Sequence, residues 1–265
     1  MLRSRIIPCL LIQNNGLVKT VNFSNPKYVG DPINAVRIFN EKEVDELVVL
    51  DIDASVQRKS PNFTLIAKIA AECRMPLCYG GGVDSLEVAQ RLVGLGVEKI
   101  ALSAAIFKNR TLISSMSKVL GSQSVVCIID IRKKKSIFST SYEISTHNGT
   151  ISYNEELGSL IKDIQALGAG EIIFNSIDQD GCMKGYDLSL VEYVKDFTDI
   201  PTTFLGGCGS NQDISKLINM YGTVGAAAGS FFVFKGKYRA VLISYPDSKK
   251  KNELVYNNEI GSKNV

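Results

Sequence analysis

Residues recur at a fixed interval of 125 positions along this 265-residue chain. Glu46 matches Glu171, Ile52 matches Ile177, Asp53 matches Asp178, Pro76 matches Pro201, Gly81-Gly82 match Gly206-Gly207, Ser85 matches Ser210 and Phe107 matches Phe232. Chance matching of common residues does not hold one offset through Pro, Gly-Gly, Ser and two acids. Short apolar runs rich in Val and Ile punctuate both halves, at 6–12, 46–52, 76–79 and 99–102, then 125–131, 171–175, 202–205 and 224–228. Unbroken runs of this kind suit parallel strands covered on both faces. Stretches of helical period lie between them, with one-sided stripes such as Ile33, Val36 and Phe39, Leu86, Ala89 and Leu92, and Leu190, Val194 and Phe197. Four strand-helix units followed by four like them predict an α/β fold, a (β/α)8 TIM barrel of two similar half-barrels. An open sheet would not require the duplication. Barrels of this kind fill about 250 residues as one domain, so residues 1–246 are expected to form it and 247–265 a polar C-terminal tail.

Local chemistry supports the helices. Asp31-Pro32 and Ser60-Pro61 place a cap before a proline at the first helical position, and Ser210 with Asp213 fits a capping box. Two regions depart from the alternation. Residues 133–150, rich in Lys, Ser and Thr and containing Asn148-Gly149, predict a hairpin or loop after the fifth strand. From Asp247 the chain turns polar, with a lysine run at 249–251, and poor order is expected there.

Composition excludes several functions. Thirty Lys and Arg against 27 acids give a net charge of +3, too little to favour nucleic acid or a membrane surface in general. The apolar run near the N-terminus is interrupted by Pro8 and lacks a small-residue cleavage site, and no stretch reaches the roughly 18 apolar residues of a membrane span. Cys9, Cys73, Cys78, Cys127, Cys182 and Cys208 form no C-x-x-C pair and are expected as reduced, buried residues of a cytoplasmic protein. His147 is the only histidine, which excludes Ser-His, Cys-His and multi-histidine zinc chemistry. It is assigned no role, and neither a metal nor a cofactor is expected.

The glycines and acids point to the site. Tyr79-Gly80-Gly81-Gly82 and Leu205-Gly206-Gly207-Cys208-Gly209 follow the third and seventh strands, where glycines let backbone amides approach an anion. Small residues end the strands that follow, at Ser103-Ala104-Ala105 and Ala227-Ala228-Gly229-Ser230. The duplicated pair favours a ligand with two phosphates. Asp51, Asp53, Asp130, Asp178 and Asp180 close strands on the rim that carries catalysis in such barrels, although loop hydrogen bonding alone accounts for any one of them.

At this level of detail the chain resembles the cyclase subunit of imidazole glycerol phosphate synthase over residues 1–235. The stretches that carry the resemblance are Arg5-Ile-Ile-Pro-Cys-Leu10, Val18-Lys19, Asp31-Pro32, Asp45-Glu-Leu-Val-Val-Leu-Asp-Ile52, Ala54-Ser55, Gly80-Gly-Gly82, Gly121-Ser-Gln123, Gly168-Ala-Gly-Glu171, Ser176-Ile-Asp178, Asp180-Gly181 and Gly185-Tyr-Asp187. The resemblance implies a glutaminase partner on the N-terminal barrel face and ammonia crossing the barrel to a bis-phosphorylated substrate on the opposite rim. It implies an entrance gate of Arg5, Glu46, Lys99 and Glu171, and phosphate or substrate contacts at Lys19, Gly82, Asp180, Gly181, Gly207, Gly229 and Ser230. Of the family's two catalytic aspartates, one corresponds to Asp130 and the other position holds Leu11. Leucine cannot transfer a proton, so acid and base duties shared between two carboxylates lose one of them.

Leu11, Pro26-Lys-Tyr-Val-Gly30, Phe39-Asn-Glu-Lys-Glu-Val44, Cys78-Tyr79 and Arg239-Ala-Val-Leu-Ile-Ser-Tyr-Pro246 are similar instead to a paralogous branch associated with bacterial surface-polysaccharide synthesis. That likeness implies ammonia delivery, with a separate sugar amidotransferase, for acetamidino groups on N-acetyl sugars. The alternatives are the histidine-pathway cyclase itself and a non-catalytic ammonia conduit that activates the glutaminase.

Overall fold

The computed structural model describes residues 3–135 and 140–256. The chain opens with strand β1 (Arg5–Gln13), an antiparallel excursion of β2 (Gly16–Val21) and β3 (Ser24–Gly30), and helix α1 (Pro32–Glu41). Then come β4 (Leu47–Asp51), α2 (Phe63–Glu72), β5 (Leu77–Gly80), α3 (Leu86–Gly94), β6 (Lys99–Leu102), α4 (Ala104–Lys108) and α5 (Thr111–Leu120). The second half holds β7 (Val125–Lys135), β8 (Thr140–Thr146), β9 (Ile151–Tyr153), α6 (Leu157–Ala166), β10 (Glu171–Ser176), α7 (Leu188–Val194), β11 (Thr202–Leu205), α8 (Asn211–Tyr221), β12 (Gly225–Ala228) and α9 (Ser230–Val233). A two-residue pair, β13 (Phe234–Lys235) with β14 (Ala240–Val241), and helix α10 (Ser248–Tyr256) complete the described chain.

Each of β1, β4, β5, β6, β7, β10, β11 and β12 pairs in parallel with the next, and β12 pairs with β1. The sheet therefore closes, giving the (β/α)8 TIM barrel. Alternation along each strand makes two cores. Ile6, Leu10, Leu47, Val49, Leu77 and Phe174 point outward against the helices. Ile7, Cys9, Val48, Cys78, Ala101, Val126, Ile128, Ile173, Leu205 and Ala227 fill the barrel.

The half-barrel repeat is structural as well as sequential. A Cβ on Gly81 would stand 2.4 Å from the Asp51 carbonyl oxygen, and one on Gly206 would stand 2.6 Å from that of Ser176, itself 125 residues beyond Asp51. Both glycines have positive φ, +119° and +99°, so each turn requires a residue without a side chain. Ser85 caps α3 by accepting from Val88 N–H, and Ser210 caps α8 by accepting from Asp213 N–H.

Three expectations are corrected. Helix α2 is capped by Asn62, whose side chain accepts from Leu65 N–H at 3.1 Å, and does not start at Ser60-Pro61. Asn caps as well as Ser, and the 59–61 segment packs against Gly82 instead. The tail forms α10 over Ser248–Tyr256, burying Leu254 and Val255 and pairing Lys251 Nζ with Asp45 at 2.9 Å. Its remainder, 257–265, lies outside the described residues. Cys73 and Cys182 are only partly buried, although all six cysteines are free thiols. The loop predicted over 133–150 is a hairpin, β7 antiparallel to β8 and β8 to β9, with 136–139 outside the described residues.

Candidate functional site at the barrel mouth

Strand ends on the C-terminal rim surround a cavity. Its floor reaches Cys9, Ala101, Ile128 and Leu205 inside the barrel, and its wall includes Leu11, Leu50, Asp51, Ser103, Asp130 and Asn175. The sequence-predicted residues Lys19, Gly82, Asp180, Gly181, Gly207, Gly229 and Ser230 all line this one cavity. The structure therefore gathers side chains that are up to 211 positions apart, from Lys19 to Ser230.

Asp130 ends the barrel portion of β7 and is held by Asn175, the equivalent rung of β10, whose Nδ2–H donates to its carboxylate at 2.8 Å. Burial pushes its pKa up to about 7, against the pull of the hydrogen bonds from Asn175 and Ser103. That is the range in which one carboxyl group can both take and give a proton at neutral pH. Asn175 Oδ1 and Ser145 Oγ, both buried and in register with Asp130, have no hydrogen-bond partner among the described residues. Asn175 also lines the cavity.

On the β10–β12 side, Lys19 enters from β2. Its amine is buried, donates to the Cys9 carbonyl at 2.6 Å and lies 2.7 Å from where a Cβ on Gly229 would be. Burial lowers its pKa, partly offset by Cys9 and Asp180. Gly181 and Gly207, at φ +67° and +101°, leave no room for a Cβ, which would fall 2.0 Å from the Thr20 and Gly185 carbonyl oxygens respectively. Close packing of backbone against backbone therefore requires glycine at both points.

The other rim acids serve the loops. Asp51 accepts from the amides of Asp53 and Ala54, Asp53 from Gln13 and Asn14, and Asp178 from the amide of Lys133. Asp180 accepts from Thr20 Oγ1 at 2.6 Å and from Phe23 N–H at 3.1 Å, so its carboxylate pins the β2–β3 hairpin to the rim. Asn175, Thr20 and Leu50 were not singled out in the sequence, and His147, assigned no role there, also lines the cavity. The hairpin that delivers Lys19 and Thr20 was also missed, because its turn at Asn22-Phe23 lacks glycine and proline.

At the opposite end of the barrel, Arg5, Glu46, Lys99 and Glu171 come together in one alternating ring. Arg5 bonds Glu46 and, at 2.8 Å, Glu171; Lys99 Nζ lies 2.8 Å from both carboxylates. Thr203 Oγ1 donates to Glu171 at 2.6 Å. Burial by itself would lower the cations, but attraction to Glu171 and Glu46 outweighs it and raises both; burial would likewise raise Glu171, and Arg5 with Lys99 reverse that. All three of these groups are held charged. Between ring and cavity the interior is apolar, with Ile7, Val48, Cys78, Val126, Ile173 and Ala227.

Among the described residues no group of three or more His, Cys, Asp or Glu is placed to hold a metal ion, and no helix is long and apolar enough to cross a membrane.

The fold and the rim define an α/β-barrel protein with a cavity, its candidate ligand site, at the C-terminal mouth. Residues 5–239 match the family described as histidine biosynthesis protein. A Leptospira borgpetersenii protein named "Putative imidazole glycerol phosphate synthase subunit HisF" is 54% identical, the match covering 96% of this chain and 99% of the relative. The Pseudomonas aeruginosa protein named as the corresponding subunit hisF2 is 50% identical over 94% of this chain and 98% of its own length. "Imidazole glycerol phosphate synthase subunit HisF" of Helicobacter hepaticus is 35% identical over 94% and 97%. The chain belongs to the histidine biosynthesis protein family, among the HisF-like subunits.

Proposed function

We propose that this barrel receives ammonia from a glutaminase subunit docked on its N-terminal face and passes it to chemistry on a phosphorylated ligand at the C-terminal mouth. The observation that carries the reading is the ring of Arg5, Glu46, Lys99 and Glu171 on the same axis as the cavity. Mutual pairing of buried ions would satisfy a structural role for the four charges; it is their occurrence together with the family's other motifs that favours the ammonia route. The apolar stretch between ring and cavity offers no hydrogen bonds to a charged solute and suits neutral ammonia, not ammonium. At the mouth, Lys19 and the backbone at Gly82, Gly181, Gly207, Gly229 and Ser230 hold the phosphates, and Asp130 moves the proton.

The acceptor is a sugar in surface-polysaccharide synthesis, amidinated with the help of a separate amidotransferase in the cytoplasm. Leu11 supports this over cyclase activity, because Asp130 then shares the mouth with the apolar Leu11 and Leu50 where two carboxylates would share the work. The second reading, the imidazole glycerol phosphate synthase cyclase, is favoured by the Asp130 carboxyl, whose pKa burial pushes up to about 7. One assay separates them. Purified protein given the ribulosyl formimino substrate and ammonium salt is expected to produce no imidazole glycerol phosphate, while it raises the glutaminase activity of its partner; turnover with ammonium would establish the cyclase instead. Asp130→Asn in the complete complex is expected to abolish amidination, and unchanged amidination would leave the barrel as a conduit only.

A further inference from the structure

The chain's single histidine stands at the cavity, on the turn between β8 and β9. That turn is fastened across the mouth: Asn148 Nδ2–H donates at 3.1 Å to the carbonyl of Ile52, just past β4. His147 and Asn148 adopt φ of +53° and +57°. Such left-handed backbone costs a residue with a side chain on the order of 1 kcal/mol and persists where the surroundings impose it.

The imidazole is oriented from behind. Thr146 Oγ1, buried, lies 2.8 Å from His147 Nδ1 and 3.2 Å from Tyr153 OH. Tyr153 in turn stacks on Phe107, centroids 3.9 Å apart and planes at 19°. Phe107 belongs to α4, whose first residue, Ala104, lines the cavity. When Tyr153 donates to Thr146 and Thr146 to Nδ1, the ring proton resides on Nε2, which has no partner among the described residues. A chain of supporting groups that ends in one free N–H at a cavity is the arrangement of a recognition side chain.

The charges around it are positive. Burial, then Lys108 and Arg58, push the imidazole below its usual range, and the Arg132 guanidinium comes within 3.1 Å of where a Cβ on Gly149 would be. The cavity's carboxylates are engaged elsewhere, Asp51 and Asp180 with loop amides and Asp130 with Asn175. The amine of Lys19 lies on the other side of the mouth, beside Gly229.

We propose that His147 is the anion-recognising side chain on the Gly82–Ala104 side of the mouth, its Nε2–H binding the phosphate monoester of the ligand, with a proton taken up by the ring as the anion arrives. The inference rests on the reading of the mouth as a site for a phosphorylated ligand. A dianion beside the ring offsets the field of Arg58 and Lys108, so the imidazolium becomes the favoured form.

A lone histidine gives one Cε1–Hε1 cross-peak in carbon-13 NMR and needs no assignment by mutagenesis. Its pH midpoint is to be measured with and without ribose 5-phosphate, together with the backbone amides of Gly82, Gly207 and Gly229. The midpoint is expected to rise by about one pH unit on binding. His147→Asn, which retains the left-handed preference, is expected to weaken ribose 5-phosphate about fivefold near pH 6. If the glycine amides respond and the imidazole midpoint does not, His147 is not the anion ligand and the phosphate reading of the mouth stands. If neither the amides nor the imidazole responds, the phosphate reading fails and this inference with it.

Discussion

At the scale of single residues, burial raises the pKa of the carboxyl groups of Asp51, Asp130 and Asp180 at the mouth. Asp130 is desolvated beside Ile128 and the apolar floor, and its pKa rises to about 7 from an ordinary carboxylate value. A raised folded-state value means that the native protein binds the proton more tightly than the unfolded chain. Its stabilising effect is therefore complete below about pH 4 and is lost as pH rises through about 7. Asp130→Asn is expected to raise the melting temperature at pH 8, by an amount equivalent to about 1–2 kcal/mol, with little change at pH 4. An equal effect at both pH values in thermal denaturation would show that the carboxyl is solvated. Asp130 was legible as a strand-end acid in the sequence. Its partner Asn175 was not, because 45 residues separate them and only the β7–β10 pairing brings Asn175 to the same rung.

At the scale of elements, most helix starts were legible, because a cap and the first turn are neighbours in sequence. Asp31 accepts from Asn34 N–H and Ser210 from Asp213 N–H, as their spacing implies. Helix α6 is a less obvious case, capped by Glu156 through the amides of Gly158 and Ser159 and joined by the hydroxyl of Tyr193 from α7. The Tyr193 hydroxyl and these amides lower the Glu156 pKa to about 2. The lowered value means that its contribution is present above the usual glutamate range and fades as pH falls toward 2. Glu156→Ala is expected to cost about 1 kcal/mol in urea denaturation at pH 7, and to cost much less near pH 2. The β2–β3 hairpin escaped notice for the opposite reason. Asn22 and Phe23 hold φ of +51° and +60°; the carbonyls of Ile177, Asp178 and Asp180 hold Asn22 and the Asp180 carboxylate holds Phe23 N–H, 155 to 157 residues away in the side-chain contacts.

At the scale of the whole molecule, α10 returns to the start of the barrel. Lys251 reaches Asp45, which also accepts from Ile6 N–H, while Tyr245 O–H donates to the Ile6 carbonyl. These contacts lie one residue from Glu46 and from Arg5 of the charged ring. Deleting residues 247–265 is expected to lower stability by about 2–4 kcal/mol, mostly from exposing the surfaces that cover Leu254 and Val255. A truncated chain that melts at the full-length temperature would show α10 to be dispensable. By itself the sequence determined the barrel, its two halves, the eight strands and the glycine turns, because periodicity, repeats and turn chemistry are local or translational patterns, whereas the membership of the charged ring was implied only by the family resemblance. Tertiary structure alone decided which groups meet: Asn175 with Asp130, Asp180 with the first hairpin, Lys251 with Asp45, and His147 with the mouth. Those pairings depend on closure of the sheet, which brings distant strand ends to one rim, and no interval along the chain encodes that distance.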